Sequence, residues 1–195
     1  EEGEYQFIVV DANNCYVLTN VTPIALAVEP DYTLTTIEES CFGEANGSLQ
    51  VNLNSNNGYT LSYTLLLPDG GQQTNASGSF PNLGQGDYQL TITRTLAGNS
   101  CGTSVNVVIG GPSAALTTEA TLTQAYTCLQ EASIQALQVQ GGTGPYEYAI
   151  DGVTFQSSDT FTGLTAGSYT ITVRDANGCA FDTAPIVVAP LQFPN

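Results

Sequence analysis

The chain has 195 residues, enough for one large domain or two small ones, and 42% of them are hydrophobic, so it can bury real cores. Eighteen acidic residues stand against two basic ones, Arg94 and Arg174, with no Lys or His, for a net charge of -16. That balance excludes nucleic acid and anionic membrane surfaces as partners, the lack of any apolar run of about 18 residues argues against direct membrane insertion, and the missing histidine excludes a Ser-His nucleophile. Only 10% of the residues are charged, so the exterior must be built largely from Thr, Ser, Asn, Gln and Gly.

In chain order, the first patterned segment is Gly3-Glu4-Tyr5-Gln6-Phe7-Ile8-Val9, followed by Asp11-Ala12-Asn13-Asn14-Cys15. It returns as Gly86-Asp87-Tyr88-Gln89-Leu90-Thr91-Ile92 with the longer Ala97-Gly98-Asn99-Ser100-Cys101. A third copy reads Gly167-Ser168-Tyr169-Thr170-Ile171-Thr172-Val173 with Asp175-Ala176-Asn177-Gly178-Cys179. The copies run on through apolar stretches to Pro30, Pro112 and Pro190. Self-similarity at this spacing is the signature of repeated structural units. It predicts residues 1–30 as the closing piece of a truncated repeat, 31–112 and 113–190 as whole repeats, and 191–195 as a linker or the start of another. Any export signal or anchor is expected outside this fragment.

Strand-like segments open both whole repeats, Thr33-Leu34-Thr35 and Leu116-Thr117-Thr118. In the last repeat Tyr169, Ile171 and Val173 alternate with polar residues, the period of a half-buried strand. Further strands are expected at 121–126, 133–140, 146–150, 153–156, 160–162 and 180–188, separated by turn signals such as Gly141-Gly142, Asp151-Gly152 and Asn177-Gly178. No helical periodicity is present. Seven short strands per repeat predict an all-β fold of tandem immunoglobulin-like β-sandwich repeats, each about 80 residues long.

Each whole repeat carries an early cysteine, Cys41 or Cys128, and a late one, Cys101 or Cys179. The expected bonds lie within repeats, Cys41 to Cys101 and Cys128 to Cys179, with Cys15 left to pair outside the fragment. Such bonds imply an oxidising compartment and would help a sandwich whose core alone is marginal.

Leu83-Gly84-Gln85-Gly86-Asp87-Tyr88 and Leu164-Thr165-Ala166-Gly167-Ser168-Tyr169 share the spacing Leu-x-x-Gly-x-Tyr at the start of a strand. This predicts a structural tyrosine corner at Tyr88 and Tyr169, and at Tyr5 in the first copy, in preference to a ligand role. The adjacent Glu38-Glu39 would point to opposite faces of a strand, so they read as solvated or turn residues and not as an acid/base pair. Catalytic residues, metal ligands and cofactors are expected to be absent. The one ion with a place to bind is calcium, because Asp175-Ala176-Asn177-Gly178 resembles the opening of a calcium loop. It lacks the later ligands, and Asn-Gly after an alternating strand favours a hairpin turn. Asn20, Asn46 and Asn75 open glycosylation sequons, and Asp182-Thr183-Ala184 resembles a short O-glycosylation acceptor.

The stretch from Gly141-Gly142-Thr143-Gly144-Pro145-Tyr146 through Asp151-Gly152, Phe161-Thr162-Gly163-Leu164 and Val173-Arg174-Asp175-Ala176-Asn177-Gly178-Cys179 resembles the SprB repeat. The middle repeat departs from that pattern, with Asn56-Asn57-Gly58-Tyr59 in place of the Gly-Gly-x-x-Pro-Tyr segment, and the first copy matches only in its closing part. The resemblance implies tandem copies in very large cell-surface adhesins of gliding Bacteroidetes, exported by type 9 secretion. A non-enzymatic, extracellular structural module of an adhesin, stalk or filament is therefore the leading expectation, with neighbouring repeats of the same chain as partners. The alternatives are a repeat whose loops bind glycans or other cell-surface ligands, and an accessory module of a secreted hydrolase.

Overall fold

The computed structural model describes residues 3–24 and 28–192, and all of their regular elements are β-strands. Strands β1 (Gly3–Tyr5), β2 (Ile8–Val10), β3 (Tyr16–Leu18) and β4 (Thr22–Ile24) form one interrupted antiparallel hairpin, β1 with β4 and β2 with β3.

Seven strands follow: β5 (Asp31–Ile37), β6 (Gly47–Ser55), β7 (Thr60–Leu66), β8 (Gln72–Asn75), β9 (Ser79–Leu83), β10 (Gly86–Leu96) and β11 (Asn99–Ile109). They form two sheets, β5-β6-β9 and β11-β10-β7-β8. First, second and fifth strands in one sheet and the sixth between the third and seventh in the other is an immunoglobulin-type sandwich, here with the fourth strand beside the third. Alternation sets the inward faces: Leu49 and Val51 from β6, Tyr63 and Leu65 from β7, Phe80 from β9, and Tyr88, Leu90 and Ile92 from β10 are buried in one cluster. The β10–β11 ladder is continuous because Ala97 and Gly98 both adopt positive φ, 50° and 84°, as a two-residue turn matched to strand twist requires.

The remaining strands are β12 (Ala120–Gln124), β13 (Ala132–Ala136), β14 (Glu147–Ala149), β15 (Thr160–Leu164), β16 (Gly167–Tyr169), β17 (Thr172–Arg174), β18 (Ala180–Asp182) and β19 (Ile186–Val188). Here β12-β13-β15 form one sheet, while β14-β17-β18 and β16-β19 make up the other face, the order of the preceding sandwich without a counterpart of β8. A second cluster, centred on Ala132, Ile134, Ala136, Ile171 and Val188, fills the space between them.

Four expected strands differ: Leu116-Thr117-Thr118 contributes only the bridge from Thr117 to Gln140, the 133–140 strand ends at Ala136, and 153–156 and 180–188 depart further. Residues 153–156 contribute only the isolated bridge between Tyr148 and Gln156, because the Asp151 carboxylate curls the chain by accepting Val153 N and Thr154 N. The 180–188 stretch is split. Thr183 turns its hydroxyl inward to accept Ile171 N at 3.0 Å, and Pro185 has no N–H to continue the ladder. The same break occurs in the first hairpin, where Thr19 Oγ1 accepts Phe7 N at 2.9 Å.

That first hairpin lacks the strands that cover its counterpart. Phe7 and Val9 are 70% and 57% exposed, whereas Ile171 and Val173, at matching places on β16–β19, are 1% and 0% exposed.

Candidate functional site

The loop that follows β5 lies at the exit end of the first sandwich. Glu39 N donates to Gly110 O at 2.8 Å, which ties the loop to the chain leaving β11. Glu39 is only 3% exposed, so of the two expectations, solvated or at a turn, the first is corrected. Its carboxylate accepts Ala45 N at 2.7 Å through one oxygen and Gln85 N at 2.9 Å through the other. The Gln85 amide, helped by the loop amides and opposed by burial, holds the carboxyl below the ordinary glutamate value of 4.5. Asn46 completes the loop by accepting Ser40 N and donating to Ser40 Oγ. Its amide is therefore engaged in structure, as is that of Asn75, which accepts Ser77 N and Gly78 N.

Because the folded carboxyl binds protons less readily than the unfolded one, its contribution is present above the ordinary glutamate range and is lost as pH falls below about 4.5 toward the folded value. Glu39→Gln should destabilise the first sandwich by about 1–3 kcal/mol at pH 7, since a carboxamide cannot accept both amides. Thermal melts from pH 7 to pH 3 should show the variant's loss shrinking as the wild-type carboxylate protonates. A constant difference across that range would remove the charged form from the account.

Facing this loop is the β17–β18 turn of the second sandwich. Asp175 is buried; one carboxylate oxygen accepts Asn177 N and Cys179 N, each at 2.9 Å, and the other accepts Thr143 N at 2.9 Å. Gly178 N closes the turn on Asp175 O at 3.1 Å, and Gly178 then takes a φ of 87°. Asp11 organises the first hairpin in the same way, with Asn13 N and Cys15 N on one oxygen and Asn14 at a φ of 64°. The carboxylate that suggested a calcium loop thus spends its oxygens on backbone amides. Among the described residues no group of three or more acidic or cysteine side chains converges as a metal site.

Across the joint, Cys41 and Cys179 form a disulfide with their Cα atoms 5.7 Å apart. Asn177 Nδ2 beside it donates to Ser40 O at 3.0 Å. This corrects the expected bonds within repeats: Cys15, Cys101 and Cys128 are free and exposed. The reason is the direction of the strands. Cys101 lies opposite Arg94 near the start of β11, whereas the Cys41 loop is tied to Gly110 beyond the end of that strand. Nine residues of strand, about 30 Å, separate the two places, against a Cα separation of about 7 Å at most for a disulfide. Likewise Cys128 follows the far end of β12, while the Cys179 turn packs at its near end, where Gly142 approaches both Leu116 and Asp175. Early and late cysteines sit at opposite poles of each sandwich, and only those of successive sandwiches meet. In chain-entropy terms, closing the loop, a separation of 138 residues, contributes about 5 kcal/mol against complete unfolding.

Tyr88 Oη donates to Gly84 O at 2.8 Å, and Tyr169 Oη donates to Thr165 O at 3.0 Å. Tyr5 is on β1, and the residue four places before it is outside the described residues. Sequence reading missed Tyr146, whose hydroxyl donates to Gly141 O at 2.8 Å; the Gly-Gly-x-x-Pro-Tyr spacing was the available signal. The Thr183 hydroxyl, suggested as a glycan acceptor, is buried in the β16–β19 break.

Both cations are engaged. Arg94 pairs with Glu29, and Arg174 bonds Glu147 at 2.6 Å while its guanidinium lies 3.8 Å from the centre of the Phe155 ring. A cleft of about 240 Å³ lined by Glu29, Pro30, Tyr32, Ile92, Arg94 and Thr103 contains that first ion pair.

No protein-family model and no curated protein matches the sequence. Among solved structures, the chain is similar to a C-terminal 282-residue fragment of intimin in complex with the translocated intimin receptor (Tir) intimin-binding domain. The TM-score is 0.47 at 11% identity, covering 82% of this chain and 64% of that one. The chain thus spans less than two thirds of that fragment.

Proposed function

We propose that the chain is a non-enzymatic structural segment of an extracellular bacterial adhesin, stalk or filament, built of tandem repeats at 31–112 and 113–190. The observation that carries this reading is the Cys41–Cys179 bond, which joins two sandwiches of one strand order at their facing ends. A covalent link of this kind restricts pivoting between units, which serves a load-bearing projection and serves no chemistry on a substrate. The disulfide also favours an oxidising, extracellular setting. The SprB-like residues between Gly141 and Cys179 support a bacterial surface array exported by type 9 secretion, with neighbouring repeats as the immediate partners.

Small-angle scattering tests the stiffness. The oxidised chain should fit one fixed arrangement of two sandwiches, whereas Cys41→Ser should require an ensemble of wider spread. Equal flexibility in both would sink the stalk reading, and saturable submillimolar binding on a glycan array would replace it with the ligand-binding alternative.

A further inference from the structure

We infer that Cys101 and Cys128 are the open halves of two more joints of the Cys41–Cys179 kind, so that each repeat is bonded to the next in a staggered chain of disulfides. The inference rests on the tandem-repeat reading above, and three features carry it beyond the presence of unpaired thiols.

The first is position. Cys128 lies after β12 as Cys41 lies after β5, each on the loop at its sandwich's exit pole. Cys101 lies on β11 near its start, at the entry pole, where its neighbour Arg94 pairs with Glu29 of the incoming chain. Cys179 occupies the corresponding place on the second sandwich, after the β17–β18 turn.

The second is the hydrogen bond that accompanies the disulfide. Asn177 stands two residues before Cys179 and donates to the carbonyl of Ser40, the residue before Cys41. Asn99 stands two residues before Cys101, and Asn13 two before Cys15. Every late cysteine thus keeps the side chain that reads the partner loop, and a main-chain carbonyl is present whatever residue precedes the early cysteine. Thr127 precedes Cys128 as Ser40 precedes Cys41.

The third is the uncovered hairpin β1–β4. Its Phe7 and Val9 are exposed where Ile171 and Val173 are buried. The occupant that fits is a set of earlier strands of that same sandwich, four in the β12–β19 unit, because the Thr19 break and the Asp11-anchored turn reproduce the β16–β19 hairpin bond for bond. By the geometry of the observed joint, the loop after the first of those strands would carry the early cysteine that meets Cys101.

Each bond forms by oxidation of two thiols, losing two protons and two electrons to an external disulfide or to oxygen, as in an oxidising compartment. No such bond links the two halves of a single sandwich.

The test lengthens the 195-residue chain by a second copy of residues 113–190 placed after Pro190, folded in a glutathione redox buffer and mapped without reduction. The proposal expects Cys128 to be recovered bonded to the added copy's counterpart of Cys179, with Cys41 still bonded to Cys179. Free thiols should remain three although two cysteines have been added, and Cys128→Ser should leave the added late cysteine free. A folded added copy with Cys128 still free, or with its own two cysteines bonded to each other, would overturn the staggered joint. Hydrogen exchange separates this from failure of the underlying reading: an added copy with no protected strands would refute the tandem-repeat reading itself.

Discussion

Pulled taut, the unshielded chain between Asp31 and Pro190 should reach an extended length of only about 75 Å when oxidised, and about 560 Å once reduced. Force entering through β5 reaches Cys41, crosses to Cys179 and leaves through β18 and β19. It bypasses the six strands β6 to β11 and the strands β12 to β17. Of the 159 residue steps from Asp31 to Pro190, the disulfide shields 138, leaving 21 to be drawn out. At about 3.5 Å per residue these counts give the two lengths, before the folded distance is subtracted. Bonds within each sandwich would instead shield 60 and 51 steps, and 48 free steps give about 170 Å in two events. Single-molecule extension with and without reductant separates the outcomes. A two-event trace near 170 Å in the oxidised chain would overturn the bond across the joint.

Phe80→Ala should cost the first sandwich about 3–5 kcal/mol and leave the second nearly untouched in the reduced chain. Phe80 is fully buried among Leu49, Leu65, Leu83 and Leu90, so its removal leaves a cavity that β-sheet backbone cannot close. A sandwich of about 80 residues has a total stability of about 4–12 kcal/mol, so the loss is a large part of it. Ile134→Ala, in the other cluster, should act on the second sandwich by about 2–5 kcal/mol. Residue-level hydrogen exchange reads the result directly: protection should fall within residues 47–109 for Phe80→Ala and within 120–188 for Ile134→Ala. A uniform fall over both segments would show that the two clusters behave as one core.

The two predictions draw on different features of the same arrangement. Two cores with few shared groups can unfold separately, while one bond at their facing ends decides how tension passes between them. Glu39 and Asp175 belong to both accounts. Each buries a carboxylate under backbone amides to fix one side of the joint, so Glu39→Gln should loosen the meeting of Cys41 with Cys179 as well as its own sandwich.

The sequence by itself determined the β-class, the alternating inward faces and the corner bonds of Tyr88 and Tyr169, because these are local. Period-two alternation decides which residues a strand turns inward, and a positive-φ turn residue or Asx carboxylate decides where it stops. Hence Tyr169, Ile171 and Val173 are legible as one face of a strand, of which Ile171 and Val173 are fully buried, and Asp175 through Cys179 as a turn. The breaks at Thr19 and Thr183 were less legible, since a threonine that turns its hydroxyl into the ladder looks in sequence like any other strand residue. Only the tertiary structure decided which cysteines meet. Spacing in the chain places Cys41 and Cys101 in the same repeat, but it carries no information about which pole of the sandwich each occupies. An odd number of strands, β6 to β10, separates the loop after β5 from the β10–β11 turn and puts a whole strand length between them, and stacking the sandwiches end to end brings Cys41 instead to Cys179, 138 residues away. Burial of Glu39 was decided at the same level, because the amides that hold it come from Ala45 and Gln85, and the second of these is adjacent only after the two sheets have packed.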